Sequence, residues 1–79
     1  MVKIDPKTAT TQIGRLILAT RRRQHLTQNQ LADQVHRCGY TIAKIERGKT
    51  YSAFEDIVVI LDRLGFELVV QERPHTDAP

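Results

Sequence analysis

The residues that could bind a metal or attack a substrate are few: one cysteine, Cys38, and three histidines, His25, His36 and His75. His36 and Cys38 stand two residues apart, but the chain has no second cysteine with which to complete a zinc site. The sequence contains no Ser/His/Asp arrangement, no phosphate-binding glycine loop and no carboxylate pair suited to catalysis. We therefore expect no enzyme activity, no metal and no cofactor, and we expect Cys38 to be a buried or half-buried residue that caps a helix.

Basic residues are concentrated in the middle of the chain. Between Arg21 and Lys49, seven Arg or Lys residues stand against two acidic residues, whereas the rest of the chain has five basic and seven acidic residues. A segment of this composition is typical of a surface that binds a polyanion such as nucleic acid. An ordinary solvated surface remains the alternative, because the net charge of the whole chain is only +3.

The length of 79 residues predicts one small domain with a thin core. Because a single cysteine cannot form an intrachain disulfide, we expect a second copy of the chain to supply stability. No apolar run approaches the ~18 residues of a membrane span. The first residues also lack the apolar stretch of a signal peptide. These features predict a cytoplasmic protein that does not enter a membrane.

Apolar residues recur at helical spacing in four segments, which predicts a mainly helical fold. After a lead-in over residues 1–10, the predicted helices are Thr11–Gln24, Gln28–Val35, Gly39–Arg47 and Ala53–Leu64. Thr10 or Thr11 is expected to cap the first helix, Thr27 and Gln30 to form a capping box at the second, and Ser52 to cap the fourth.

The ends and inner faces of these helices follow from glycines and apolar spacing. Gly48 is expected in a left-handed conformation after the third helix, and Gly65 is expected to stop the fourth. The residues predicted to face inward are Ile13, Leu16, Ile17, Thr20, Leu31, Ala32, Val35, Ile42, Ile45, Phe54, Ile57, Val58, Leu61 and Leu64.

The segment Phe66–Glu72 alternates between apolar and polar residues, which predicts a β-strand. A strand needs hydrogen-bonding partners for its backbone, and the economical partner is the same strand of a second copy across a two-fold axis. The alternative is pairing with Val2–Ile4 inside one chain. Residues 73–79 are expected to form a flexible tail.

Two short motifs in the basic middle resemble a known family. Residues 26–32 (LTQNQLA) and 41–49 (TIAKIERGK) are similar to the helix-turn-helix of Xre-family DNA-binding domains, relatives of the lambdoid phage repressors. Residues 60–65 (ILDRLG) and 66–70 (FELVV) extend the resemblance to the HipB-like antitoxins. The resemblance covers residues 11–72. It implies a four- to five-helix lambda-repressor-like domain over 11–65, with a short strand over 66–72 that pairs across a homodimer.

The resemblance also implies which residues contact DNA. These are Gln28, Arg37, Gly39, Tyr40, Thr41, Ala43, Lys44, Arg47 and Lys49. Lys44 is expected at a guanine edge or at a phosphate. Gln28 either contacts a phosphate or only caps its helix, Tyr40 either contacts DNA or packs on its own helix, and Arg37 either contacts a phosphate or is solvated.

Further roles implied by the resemblance are structural. Arg21 and Glu46 are expected to form an ion pair that joins the first helix to the third. Arg22 and Arg23 are left for phosphate or solvent. The residues expected at the dimer interface are Phe66, Leu68, Val69 and Val70.

The chain departs from the family pattern at four consecutive positions, from the turn after the second helix to the first residue of the third. His36 stands where the family usually has a glycine, and Arg37 stands where it usually has an apolar residue. Cys38 replaces the usual Ser or Thr cap, and Gly39 replaces a larger polar residue. The turn is therefore expected to differ in detail from that of the family.

By resemblance, the predicted function is that of a sequence-specific repressor that binds a palindromic operator and acts as the antitoxin of a toxin–antitoxin operon. Its expected partners are a second copy, double-stranded DNA and a HipA-like serine/threonine kinase toxin, and its expected place is the nucleoid. The alternatives are a stand-alone Xre-type repressor without a toxin, and a protein-interaction module that has lost DNA binding.

Overall fold

The computed structural model describes residues 1–49 and 54–72, which contain four α-helices and no β-strand. The helices are α1 (Ala9–Arg23), α2 (Gln28–Gln34), α3 (Gly39–Glu46) and α4 (Phe54–Leu64). The prediction of a mainly helical fold is confirmed. Within the described residues no helix combines the length and the apolar character that a membrane span requires. The cap expected at Ser52, the helix start expected at Ala53 and the tail 73–79 lie outside the described residues.

Helix α1 begins earlier than predicted. Its N-cap is Thr8, whose side chain makes no capping bond, so the prediction of Thr10 or Thr11 as the cap is wrong. The backbone N–H of Thr8 donates to the carbonyl of Asp5 at 3.1 Å, and the N–H of Asp5 donates to the side chain of Gln12 at 2.8 Å. These bonds close a turn just before the helix, so α1 begins inside the segment 1–10 that was expected as a lead-in.

All four helices end in the same way. The residue after each C-terminal turn has a positive φ: 59° at His25, 56° at His36, 78° at Gly48 and 101° at Gly65. Two backbone hydrogen bonds close each end, as where Arg37 N–H donates to the α2 carbonyl five residues earlier at 2.9 Å. The two glycines adopt this conformation freely, whereas a left-handed conformation costs a residue with a Cβ about 1–2 kcal/mol.

The core lies where all four helices meet. Its fully buried side chains are Ile17, Leu31, Ile42, Ile45 and Ile60. The inward-facing residues predicted for α2 and α3 are buried as expected. In α4, however, the prediction that Phe54 faces inward is wrong.

The buried face of α4 consists of Ile57, Ile60, Leu61 and Leu64. Phe54 is the first residue of this helix, and it is 68% exposed. Ile60, which the apolar spacing did not assign to the inner face, is fully buried instead.

Gly14 sets the distance between α1 and α3. A Cβ at this position would meet the carbonyl oxygen of Ile45 and would lie 3.0 Å from that of Glu46. Because those atoms belong to the backbone, they cannot rotate away as a side chain can. Only glycine lets α3 lie this close to α1.

Residues 66–72, the described part of the chain after α4, form no strand in the single chain. Phe66 N–H donates to the carbonyl of Leu61 at 2.9 Å, and the Phe66 ring packs against the core. Within residues 1–49 and 54–72 no β-bridge joins Val2–Ile4 to the residues after Phe66, so the intrachain alternative is not formed. A strand across two copies stays a prediction.

Candidate nucleic-acid interface

The start of α2 is fixed by the predicted capping box. The hydroxyl of Thr27 accepts from the Gln30 backbone N–H at 3.0 Å, and the Gln30 side chain accepts from the Thr27 N–H at 2.8 Å. Two backbone N–H groups at the N-terminus of α2, which the helix itself leaves unpaired, therefore have partners. This places Gln28 at the first position of the helix, next to the end of α3.

Helix α3 has an apolar side and a polar side. Ile42 and Ile45 are fully buried, whereas Tyr40 is 65% exposed and Arg47 is also exposed. Lys44 lies four residues after Tyr40 and therefore on the same side of the helix. Its ammonium lies 5.5 Å from the centre of the Tyr40 ring, a distance that allows a cation–π attraction.

The remaining residues expected at DNA border this row. Gly39, Thr41 and Ala43 are half-buried along α3, and Lys49 is exposed just after it. Tyr40, Lys44, Arg47 and Lys49 thus give this side three cations and one aromatic ring. Such a surface can contact phosphates through charge, and it can contact base edges through the lysine side chain.

The predicted pair of Arg21 and Glu46 is present and almost buried. Arg21 Nε donates to Glu46 Oε2 at 2.6 Å, and Nη2 donates to Oε1 at 2.9 Å. Only 9% and 4% of the two side chains are exposed. The hydrogen bond to Glu46 raises the pKa of Arg21 against the opposing effect of burial, so the guanidinium stays charged. Its Nη1 also donates to the carbonyl of Leu26 at 2.8 Å, which joins the end of α1 to the start of α2.

Gln28 belongs to the same network. Its side-chain amide donates to Glu46 Oε1 at 3.0 Å. In the free chain this amide is therefore bound to α3, which is a role beyond the two alternatives that the sequence left open. The contact holds Gln28 at the end of α3.

Arg37 is not free either. Its Nε donates to Asp56 Oδ1 at 2.6 Å, and only 27% of the Arg37 side chain is exposed. The guanidinium therefore contacts the first turn of α4, which neither the phosphate nor the solvated alternative describes.

Two observations at the start of α3 were not predicted. Cys38 occupies the N-cap position, as predicted, but its side chain makes no cap bond and is exposed, so the prediction that it is buried or half-buried is wrong. A Cβ at Gly39 would meet the side-chain oxygen of Asn29, so this exposed amide occupies the space of the missing side chain. Asn29 is not among the predicted site residues, although the absence of a side chain at position 39 is a signal for a neighbour of this kind.

A second surface lies between residues 1–4 and the segment 66–72. An open groove is lined by both terminal segments and by apolar side chains of α1 and α4; its lining includes Met1–Ile4, Ile13, Leu16, Leu61, Phe66, Leu68 and Val69. Of its lining residues, Leu68 and Val69 are 49% and 64% exposed, and the neighbouring Val70 is 97% exposed. The residues expected at a dimer interface are thus apolar and uncovered in the single chain, apart from the partly buried Phe66.

The chain matches no known protein-family profile, and no curated protein matches it significantly.

Proposed function

We propose that the chain is a dimeric, sequence-specific DNA-binding repressor that acts as the antitoxin of a toxin–antitoxin operon. In this proposal α2 and α3 form the helix-turn-helix of a lambda-repressor-like domain, and α3 enters the major groove. The observation that carries it is the polar side of α3, on which Tyr40 and Arg47 are exposed and Lys44 is half-buried. Ile42 and Ile45 are fully buried on the opposite side. The resemblance of residues 26–32 and 41–49 to the Xre family supports the same assignment.

The electrostatics of this surface also favour DNA. The Glu46 carboxylate lies at the end of α3, but its two oxygens accept hydrogen bonds from Arg21 and Gln28. Its charge is compensated inside the domain, so the cations Lys44, Arg47 and Lys49 set the potential of the outer surface. Each phosphate that such a cation neutralises steepens the log–log salt dependence by about 0.9.

The experiment selects binding sequences from a pool of random duplexes and measures affinity for the enriched duplex by fluorescence anisotropy at several salt concentrations. Lys44→Ala is expected to cost ~1–3 kcal/mol on the enriched duplex and to relax the preference at one base pair. Equal weakening on every duplex would assign Lys44 to a phosphate.

The matched control is Arg15→Ala, which removes one exposed cation of α1 and is expected to have a much smaller effect. No salt-sensitive binding by the unaltered chain would contradict the proposal. Unchanged affinity after both Lys44→Ala and Arg47→Ala would also contradict it, and would favour a protein-interaction module.

In the proposed dimer, residues 66–72 of one protomer pair with the same residues of the other across a two-fold axis. The exposure of Leu68, Val69 and Val70 supports this arrangement, because large apolar side chains are normally covered in the functional assembly. Two copies of α3 related by this axis are expected to bind half-sites about 10 bp apart, or a multiple of that distance.

The antitoxin part of the proposal rests on the resemblance to HipB-like proteins. It predicts a HipA-like serine/threonine kinase as the toxin partner. It also predicts that the repressor is associated with the nucleoid. Purification of the tagged chain from its own host at native expression, followed by mass spectrometry, tests this part. A stoichiometric kinase-like protein supports it, whereas DNA without a protein at comparable amount favours a stand-alone repressor.

A further inference from the structure

The guanidinium of Arg37 is held on three sides. Its Nε donates to Asp56 Oδ1 at 2.6 Å, and its Nη2 lies 3.7 Å from Glu55 Oε1. Its Nη1 donates to the backbone carbonyls of Val35 at 3.1 Å and His36 at 3.3 Å. These contacts tie the turn between α2 and α3 to the first turn of α4.

Burial and charge favour this arrangement over a phosphate contact. The side chains of Arg37 and Asp56 are 27% and 21% exposed, so solvent screens their attraction less than on an open surface. Asp56 lies in the first turn of α4, where the helix dipole favours a carboxylate. A DNA phosphate would have to displace this carboxylate from Nε before it reached Arg37.

The position of this contact links the two surfaces described above. Arg37 immediately precedes Cys38, the N-cap of α3, and its side chain reaches α4. Helix α4 runs on to Leu64 and leads into residues 66–72, the proposed dimerisation segment. Any change in the angle between the turn and α4 therefore moves α3 relative to the segment that would join the two protomers.

We propose that Arg37, Asp56 and Glu55 form a clamp that sets the direction of α3 relative to α4, and with it the distance between the two α3 helices of the dimer. Arg37 is then a positioning residue and not a phosphate ligand. The inference rests on the proposed DNA-binding function and goes beyond it, because it assigns the half-site spacing to three residues outside the DNA surface.

Two substitutions separate the clamp from a phosphate contact. Arg37→Met removes the cation and keeps a long apolar side chain, whereas Asp56→Asn leaves Arg37 intact and removes the charge that holds it. If Arg37 positions α3, both changes lower operator affinity. If Arg37 binds phosphate in competition with Asp56, the first change lowers affinity and the second raises it.

The experiment uses the duplex enriched by the unaltered chain and a second duplex with one base pair inserted between the half-sites. Both variants are expected to lose about fivefold or more in affinity for the first duplex, which is the loss that one mismatched base pair causes. Both are also expected to discriminate less between the two spacings, and neither is expected to change the salt slope by the ~0.9 per protomer of a lost phosphate. A merely destabilised chain has fewer folded molecules but keeps the spacing preference of those that remain.

Three results would overturn the clamp: affinity changes of opposite sign, a salt slope reduced by Arg37→Met, or an unchanged spacing preference in both variants. Failure of the proposed function has a different signature, because in that case the unaltered chain itself enriches no duplex. A double-mutant cycle on thermal unfolding without DNA completes the test. Additive effects of Arg37→Met and Asp56→Asn would contradict the clamp, and a clear coupling would support it.

Discussion

Two surfaces of the molecule differ in how many of their side chains have partners within one copy of the chain. One is formed by α2 and α3, and the other is the groove between residues 1–4 and 66–72. Around the first surface, Arg21, Gln28 and Arg37 all have hydrogen-bonding partners inside the domain. In the groove, the apolar side chains of Leu68 and Val69 are 49% and 64% exposed. The polar side chains around the first surface are thus satisfied within one protomer, whereas the apolar side chains of the second would be covered only in the proposed dimer.

Truncation after Glu67 is expected to have the largest effect on the groove. It removes Leu68, Val69 and Val70 but keeps Phe66, which packs against the core. Each apolar side chain contributes about 1.5–3 kcal/mol when fully buried. The dissociation constant of the dimer, measured by sedimentation equilibrium, is therefore expected to rise by about 1000-fold or more, which corresponds to ~4 kcal/mol.

The matched control for this truncation removes only residues 73–79 and is expected to leave the dimer intact. An equally tight dimer after truncation at Glu67 would place the interface elsewhere. A drop in operator affinity that accompanies dimer loss is the result that links the groove to the α2–α3 surface.

Among substitutions at the α2–α3 surface, Glu46→Ala is expected to lower the free energy of unfolding the most. It leaves Arg21 buried without a carboxylate and Gln28 without its acceptor. Breaking a buried pair in this way costs about 3–5 kcal/mol, a large share of the ~5–10 kcal/mol that stabilises a small domain.

Urea unfolding measures this loss, with Asp62→Ala as the control because Asp62 is an exposed carboxylate of α4. The control is expected to change the free energy of unfolding by less than about 0.5 kcal/mol. Equal effects of the two substitutions would mean that the Arg21–Glu46 pair does not hold α1 to α3.

Gly14→Ala is expected to cost ~1–3 kcal/mol of unfolding free energy, because the added methyl group meets the backbone of α3. Gly39→Ala is the control, since the group in its way is the rotatable side chain of Asn29. Thermal unfolding compares the two variants. A Gly39→Ala variant that is less stable than Gly14→Ala would contradict the close approach of α1 and α3.

The parts of the fold that depend on local spacing could be predicted from the sequence. The burial of Leu31, Ile42 and Ile45 follows from helical periodicity, and the Thr27–Gln30 capping box needs only a three-residue motif. The Arg21–Glu46 pair was expected from the family resemblance.

The parts that depend on contacts between distant residues could not be predicted. The role of Gly14 requires the distance between two helices, and the Arg37–Asp56 contact joins a residue that departs from the family pattern to the start of another helix. The predictions for Phe54 and Ile60 were wrong because periodicity shows which residues share one side of a helix, but not which of them a neighbouring helix covers.

His36→Gly is expected to have the smallest effect, a gain of about 0.5–1 kcal/mol. The substitution removes the strain of a non-glycine residue held at φ 56°. The greater conformational freedom of glycine in the unfolded chain offsets part of this gain. His36→Ala keeps the strained conformation and is expected to bring no gain in urea unfolding. The same gain from both substitutions would assign the effect to loss of the imidazole.

Hydroxyl-radical footprinting of the unaltered chain on its enriched duplex tests most directly whether one surface binds DNA while the other joins two copies. We expect a two-fold symmetric footprint with protected half-sites about 10 bp apart, or a multiple of that distance. The truncated chain lacking Leu68, Val69 and Val70 is expected to lose this symmetric protection at the same concentration. An asymmetric footprint filled by a single protomer, or a symmetric one that survives truncation, would contradict the account.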